Sequence, residues 1–371
     1  KEYSSLTIRI FLFTSYVALI FFFIKILTEF KIFNNSNNFI NWNLIVIFLM
    51  LQSSAAIYSI INGGGEIFTS LSIIGHFYYF YKRKYLIASI FIIFGIYFKL
   101  HPIVFAFPYF IFALFSINHR KYLFYLILVG LIASIFSYFV QGFKYGFLYP
   151  FTIIFSVIEQ SSSTIPIWSQ EIFNPLSFIN KLINGFKIEK SIANKYELTK
   201  LMSIIISVFT ISFVCLSIIG GIILSKLELK WKNNQNRLRD LFIFQVVIGF
   251  LYLFFSVDIS IEHLLNSLVT IYAPIFLFSI SINKFKDLNF NNYIYILLYL
   301  IGLSLSGFFI PISIVNLFIP YELIDKIAGD DTASIGNYGR FIWYHFPLIG
   351  ILIISIITFF NLKSIKQIIF N

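Results

Sequence analysis

The sequence predicts an all-α fold, a polytopic transmembrane helix bundle. Three observations predict it. First, 59% of the 371 residues are hydrophobic and only 12% are charged. A soluble domain has about 45–50% apolar and about 25% charged residues. Second, the apolar residues fall into runs long enough for helices that cross a bilayer, which take roughly 17–25 residues. Third, basic residues gather in alternate short connections, as the positive-inside rule requires. This composition excludes a soluble enzyme, a disordered chain and a nucleic-acid-binding domain, although the net charge is +11. That charge reads as basic cytoplasmic loops. The single Cys215 lies in an apolar run, so neither a disulfide framework nor a cysteine metal site is expected.

About eleven spans are expected within one integral membrane domain, residues 1–371. In order they are Thr7–Glu29, Leu44–Ile61, Ile67–Tyr81, Tyr85–Phe98, Pro102–Ser116, Tyr122–Val140, Leu201–Leu224, Leu241–Val257, Leu265–Ile282, Tyr293–Phe309 and Phe341–Phe360. Several are short, which suits helices that end at a cavity. Lys82–Lys84, Arg120–Lys121, Lys226–Arg239, Lys284–Lys286 and the Lys363–Lys366 tail are basic and share the cytoplasmic side. Asn62–Glu66, Lys99–His101 and Asp258–Leu264 then face outward. This alternation requires a break between Tyr85 and Ser116. Pro102 supplies it, because proline lacks an N–H and turns the preceding residue away from helix.

Two long connections are assigned outward. Gln141–Lys200 is too polar to span, but its apolar stretch Phe151–Val157, with Tyr145 and Trp168, fits short interfacial helices. Ile310–Arg340 is the second, and carries Asp330, Asp331 and Arg340.

Ionisable residues near membrane depth are functional candidates by default. Glu66 follows three glycines, so it is either a ligand-approach loop or a plain turn. Lys99 and His101 flank the hairpin tip. An ammonium there pairs with a phosphate or snorkels to headgroups. Asp258, Glu262 and His263 form a short acidic and imidazole cluster. It fits acid–base work, a divalent cation or a helix cap. Arg340 precedes the last span, as a phosphate contact or an interfacial anchor. No metal is assigned, and a divalent cation stays open as a cofactor.

At these residues the chain resembles glycosyltransferase family 87, one of the C-type membrane glycosyltransferases. The likeness lies in Asn62–Gly–Gly–Gly–Glu66, the basic turn Lys82–Arg–Lys84 with Ala88, and Gly95 with Lys99–Leu–His–Pro102. Ile259–Ser–Ile–Glu–His263 and Phe173–Asn–Pro–Leu–Ser177 add to it. The family's glutamine position is Glu66 here. The resemblance implies an inverting hexosyltransferase, mannose being a common sugar. It would use a polyprenyl- or dolichyl-phosphate donor and a lipid or glycan acceptor at the outer or luminal face. Lys99, His101 and Arg340 would contact the donor phosphate; Glu66, Asp258, Glu262 and His263 would be substrate or acid–base groups. It also implies that a first helix and first outer loop precede Lys1, with the catalytic carboxylate there. A prokaryotic plasma membrane is favoured over endoplasmic reticulum. The alternatives are a multi-spanning transporter or flippase, and a polysaccharide polymerase or ligase.

Overall fold

The computed structural model describes residues 2–29, 65–99, 101–142 and 195–255, with isolated helical positions at 47, 50, 51, 56, 59, 60, 298, 301, 353 and 356. The predicted spans Leu44–Ile61, Leu265–Ile282, Tyr293–Phe309 and Phe341–Phe360 lie outside these residues or touch them only at isolated positions. So do the loop Ile310–Arg340 and most of Gln141–Lys200. The chain divides into two compact units. One comprises Lys1–Phe30, Ser59–Ile165 and Asn194–Ser256, and all the helices named below belong to it.

The described residues are helical, with no strand among them. The helices are α1 (Glu2–Glu29), α2 (Glu66–Tyr81), α3 (Tyr85–Phe98), α4 (Pro102–Phe115), α5 (Arg120–Gly142), α6 (Lys195–Glu228) and α7 (Asn234–Phe255), with a 3₁₀ turn at Ile117–His119 before α5. Among the described residues three stretches are long and apolar enough to cross a membrane: Leu6–Glu29, Ile117–Val140 and Ile211–Glu228. The unit is that of a helical membrane protein. Its lipid-type surface is most evident on α5, where Ile132, Phe136 and Phe139 are exposed. Soluble domains rarely present contiguous apolar faces of this kind.

The predicted break at Lys99–Pro102 is present. The residue before the proline is not turned away from helix, for His101 lies in the helical region (φ −49°, ψ −39°) and already leads into α4. It is Lys99 that is extended (φ −156°, ψ 140°) and stops α3, and Pro102 starts α4 at a position where its missing N–H loses no hydrogen bond. The result is two short helices in place of one kinked one.

Core packing is set by small residues and rings. α2 packs on α1 and α3, α3 on α5, and α6 on both α4 and α7. On α6, a Cβ at Gly221 would stand 2.7 Å from Ile111 Cγ2 and 3.0 Å from the Phe112 backbone nitrogen. Only glycine lets α6 approach α4 this closely. Phe80, Tyr109, Phe112 and Tyr122 fill the centre, fully buried, with Phe80 and Tyr109 edge-to-face at 4.8 Å. His76, also buried, pairs through Nε2 with the Tyr122 hydroxyl at 2.9 Å inside this aromatic core, while its Nδ1 has no hydrogen-bond partner among the described residues.

Contacts sort the connections into two ends. At one, Glu29 at the end of α1 takes the Lys82 ammonium, and its backbone carbonyl accepts from Gln235 at 2.8 Å. Glu228 there accepts from Asn118 at 2.8 Å. The three basic turns Lys82–Lys84, Arg120–Lys121 and Lys226–Arg239 therefore lie together, as the alternation of charge predicts for them. At the other end are Gly65, Glu66, Lys99 and His101, joined by contacts of their own.

Candidate functional site

The site is built where α2 begins and α3 gives way to α4. α2 has 16 residues, α3 has 14 and α4 has 14. At 1.5 Å per residue they rise only about 24, 21 and 21 Å from the basic turns. A hydrocarbon layer is about 30 Å thick. With the basic turns at the headgroups, these helices stop short of the opposite face. α1, with 28 residues, rises about 42 Å. The short helices α2, α3 and α4 are thus shorter than their neighbour α1.

Four polar side chains meet there. Glu66 opens α2, where the helix N-terminus favours a carboxylate. Its side chain is buried, and it forms an ion pair with the Lys99 ammonium. Lys99 thus turns toward Glu66 and not outward to headgroups. The extended backbone at Lys99 aims its side chain back along α2 instead of continuing α3. His101, the residue before α4, receives the Tyr252 hydroxyl of α7 at 3.1 Å on Nδ1. Burial, and after it the Lys99 charge, hold the His101 imidazole below its ordinary range, so it is neutral at pH 7. A neutral imidazole donates or accepts one hydrogen bond but brings no charge to an anion.

Rings pack beside these groups. Phe68 and Phe98 meet with centroids 4.7 Å apart. A Cβ on Gly65 would overlap the Phe98 ring. The last of the three glycines therefore makes room for Phe98, a packing role that the sequence does not disclose. The chemistry available is that of one cation next to one carboxylate, with a neutral hydrogen-bonding pair beside them. An anion that displaces Glu66 from Lys99 would meet an ammonium in a partly dry setting, where its charge counts for more than in water.

Three of the predicted site residues, Glu66, Lys99 and His101, are thus brought together. Asp258, Glu262, His263 and Arg340 lie outside the described residues. Tyr252 was not among the sequence candidates, because a tyrosine inside the apolar run of α7 reads as core. Among the described residues no cluster of three His, Cys, Asp or Glu stands ready to hold a metal ion.

The basic end holds a second polar network. The buried His119 lies 3.1 Å through Nδ1 from Glu228 and 2.9 Å from the Ser116 hydroxyl. Its ring stacks on Phe80 at 5.3 Å and 13°. Asp240 accepts from the Trp231 indole at 2.8 Å and from Arg239 at 2.8 Å. Comparison with protein-family models, curated proteins and solved structures finds no match.

Proposed function

We propose that this chain is a membrane glycosyltransferase of about eleven spans. It transfers a hexose, with mannose the first candidate, from a polyprenyl- or dolichyl-phosphate sugar to a lipid or glycan acceptor. The reaction takes place at the end of the bundle opposite the basic turns, the outer face of a prokaryotic plasma membrane. The observation that carries this reading is the Glu66–Lys99 pair with His101 and Tyr252, at the ends of three short helices.

The chemistry assigned to these residues is limited and specific. A base deprotonates the acceptor hydroxyl, whose oxygen attacks the anomeric carbon. The bond from that carbon to the lipid-phosphate oxygen breaks, and the configuration inverts. Charge develops on the departing phosphate, and Lys99 stabilises it. Glu66 holds the ammonium in place until the donor arrives. The neutral His101 donates a hydrogen bond to a phosphate oxygen. No described residue is assigned as the base.

A transporter would place its polar site near the middle of the bundle, at broken helices. Here the ion pair sits at helix ends, which favours the transferase. The test is transfer of label from a panel of radiolabelled polyprenyl-phosphate hexoses by the purified full-length protein. Transfer from at least one donor, lost in Lys99→Met, is expected. Failure of every donor, in a preparation that is folded and monodisperse, would remove the enzyme reading.

A further inference from the structure

We propose that Arg83, Arg237 and the Tyr85 hydroxyl form a second anion site, at the basic end of the bundle, which takes a phosphate group. It is separate from the Glu66–Lys99 pair and does not depend on the function assigned there.

The argument begins with the carboxylates at this end. Glu29 is taken by Lys82 and by the Tyr81 hydroxyl at 3.2 Å. Glu228 is taken by Asn118 and His119. Asp240 is taken by Arg239 and Trp231. Among the described residues none of them pairs with Arg83 or Arg237. Yet these two guanidinium groups come from adjoining turns: Arg237, in the first turns of α7, lies over the ring of Tyr81, two residues before Arg83 in the α2–α3 turn. Burial, and after it the Arg83 charge, push the Arg237 guanidinium below its ordinary range. An anion between two such cations would relieve their repulsion.

Unsatisfied donors point the same way. Arg237 Nε and the Tyr85 hydroxyl are buried without a hydrogen-bond partner among the described residues. Tyr85 is 6% exposed, and its hydroxyl feels both arginines. Arg237 Nε and this hydroxyl are two of ten such buried atoms among the described residues, and what sets them apart is that both belong to residues beside the Arg83 turn. The Arg237 guanidinium lies 5.1 Å from the centre of the Tyr81 ring, which fixes its plane. Arg83 is exposed, so the site opens to the surface on that side.

Backbone geometry supplies an independent argument. The turn after α2 is a Schellman closure: Lys84 N–H donates to Tyr79 O at 2.9 Å, and Arg83 N–H donates to Phe80 O at 3.0 Å. Its left-handed position, φ 57°, is held by Arg83. Glycine is the ordinary residue there, since a Cβ in this region is penalised. A strained residue kept at such a position marks a side chain with work to do. Two planar guanidinium forks and a hydroxyl suit the tetrahedral oxygens of phosphate. The phosphate belongs either to a lipid headgroup at the cytoplasmic surface or to a soluble ligand.

The experiment measures binding of two probes to the full-length protein by calorimetry: short-chain phosphatidylglycerol and inorganic phosphate. Phosphatidylcholine of the same chain length is the control. Arg83→Gly removes the guanidinium while relieving the backbone, so its unfolding midpoint should hold or rise. Its affinity for the preferred probe should fall roughly tenfold or more, the usual effect of losing a charged hydrogen bond. Arg237→Gln should give a similar loss from another helix. Tighter binding of phosphatidylglycerol identifies a headgroup site; binding of phosphate that is equal or tighter identifies a soluble ligand. Absence of saturable binding by both probes, or affinity unchanged in both variants, would overturn the proposal.

Discussion

The two ends of the described bundle handle charge in opposite ways. At the basic end the carboxylates Glu29, Glu228 and Asp240 each hold two donors that come from different turns or from neighbouring positions. They tie α1 to α2, and the α4–α5 turn to the end of α6. At the blunt end one buried carboxylate, Glu66, holds one ammonium across the gap between α2 and the Lys99 connection. The first arrangement is structural, since its contacts join turns to which no chemistry is assigned. The second joins the groups to which the donor chemistry is assigned, and there an incoming anion is proposed to take the place of Glu66 beside Lys99.

Three substitutions separate the ends by size of effect. Gly221→Val strikes the core that both ends share, because α6 has no room for the side chain against Ile111 and Phe112. It should cost about 3 kcal/mol and lower the unfolding midpoint of the whole unit. A wild-type midpoint would show that α6 and α4 are not in this contact. Glu228→Ala acts on the basic end alone. It leaves the Asn118 amide without its acceptor and His119 without its carboxylate. A loss of about 2 kcal/mol in stability is expected, with donor turnover retained. If turnover fell as far as in Lys99→Met, the division between the ends would be wrong. Tyr252→Phe is the mildest and touches only the blunt end. It removes one hydrogen bond to His101 and keeps the ring packed on Phe105. About 1 kcal/mol is expected, read as a small shift in midpoint by thermal unfolding in detergent. No shift would mean that the hydroxyl is satisfied elsewhere.

The sequence disclosed what local chemistry controls. Pro102 disclosed the break in the α3–α4 hairpin, because a proline suits the first position of a helix; that Lys99 and not His101 is the extended residue had no local signal. The basic turns disclosed which connections share an end, because charge in short loops follows membrane side. What long-range packing controls stayed hidden. Tyr252 sits in an apolar run, and nothing in its neighbours marks its hydroxyl as the partner of His101, 151 positions away. Glu228 and Asn118 are 110 positions apart, so their pairing has no local signature. Glu29, at the edge of the first apolar run, reads as a plain span boundary and not as the anchor of α2 and α7. The glycine run before Glu66 reads as either a backbone approach to ligand or a plain turn, and neither reading discloses that Gly65 makes room for the Phe98 ring.

The central claim is that Lys99 serves an incoming anion and that Glu66 only holds it meanwhile. A double-mutant cycle on Glu66→Gln and Lys99→Met tests this, read by unfolding midpoint and by turnover of a polyprenyl-phosphate hexose. Lys99→Met alone leaves the buried Glu66 carboxylate without its counter-ion. It should destabilise by roughly 1–3 kcal/mol, less than a fully buried pair because Lys99 is 37% exposed. Its turnover should fall on the order of 100- to 1000-fold. Adding Glu66→Gln removes the stranded charge, so stability should return while turnover stays lost. Recovery of both stability and turnover in the double variant would contradict the account and reduce the pair to a structural tie.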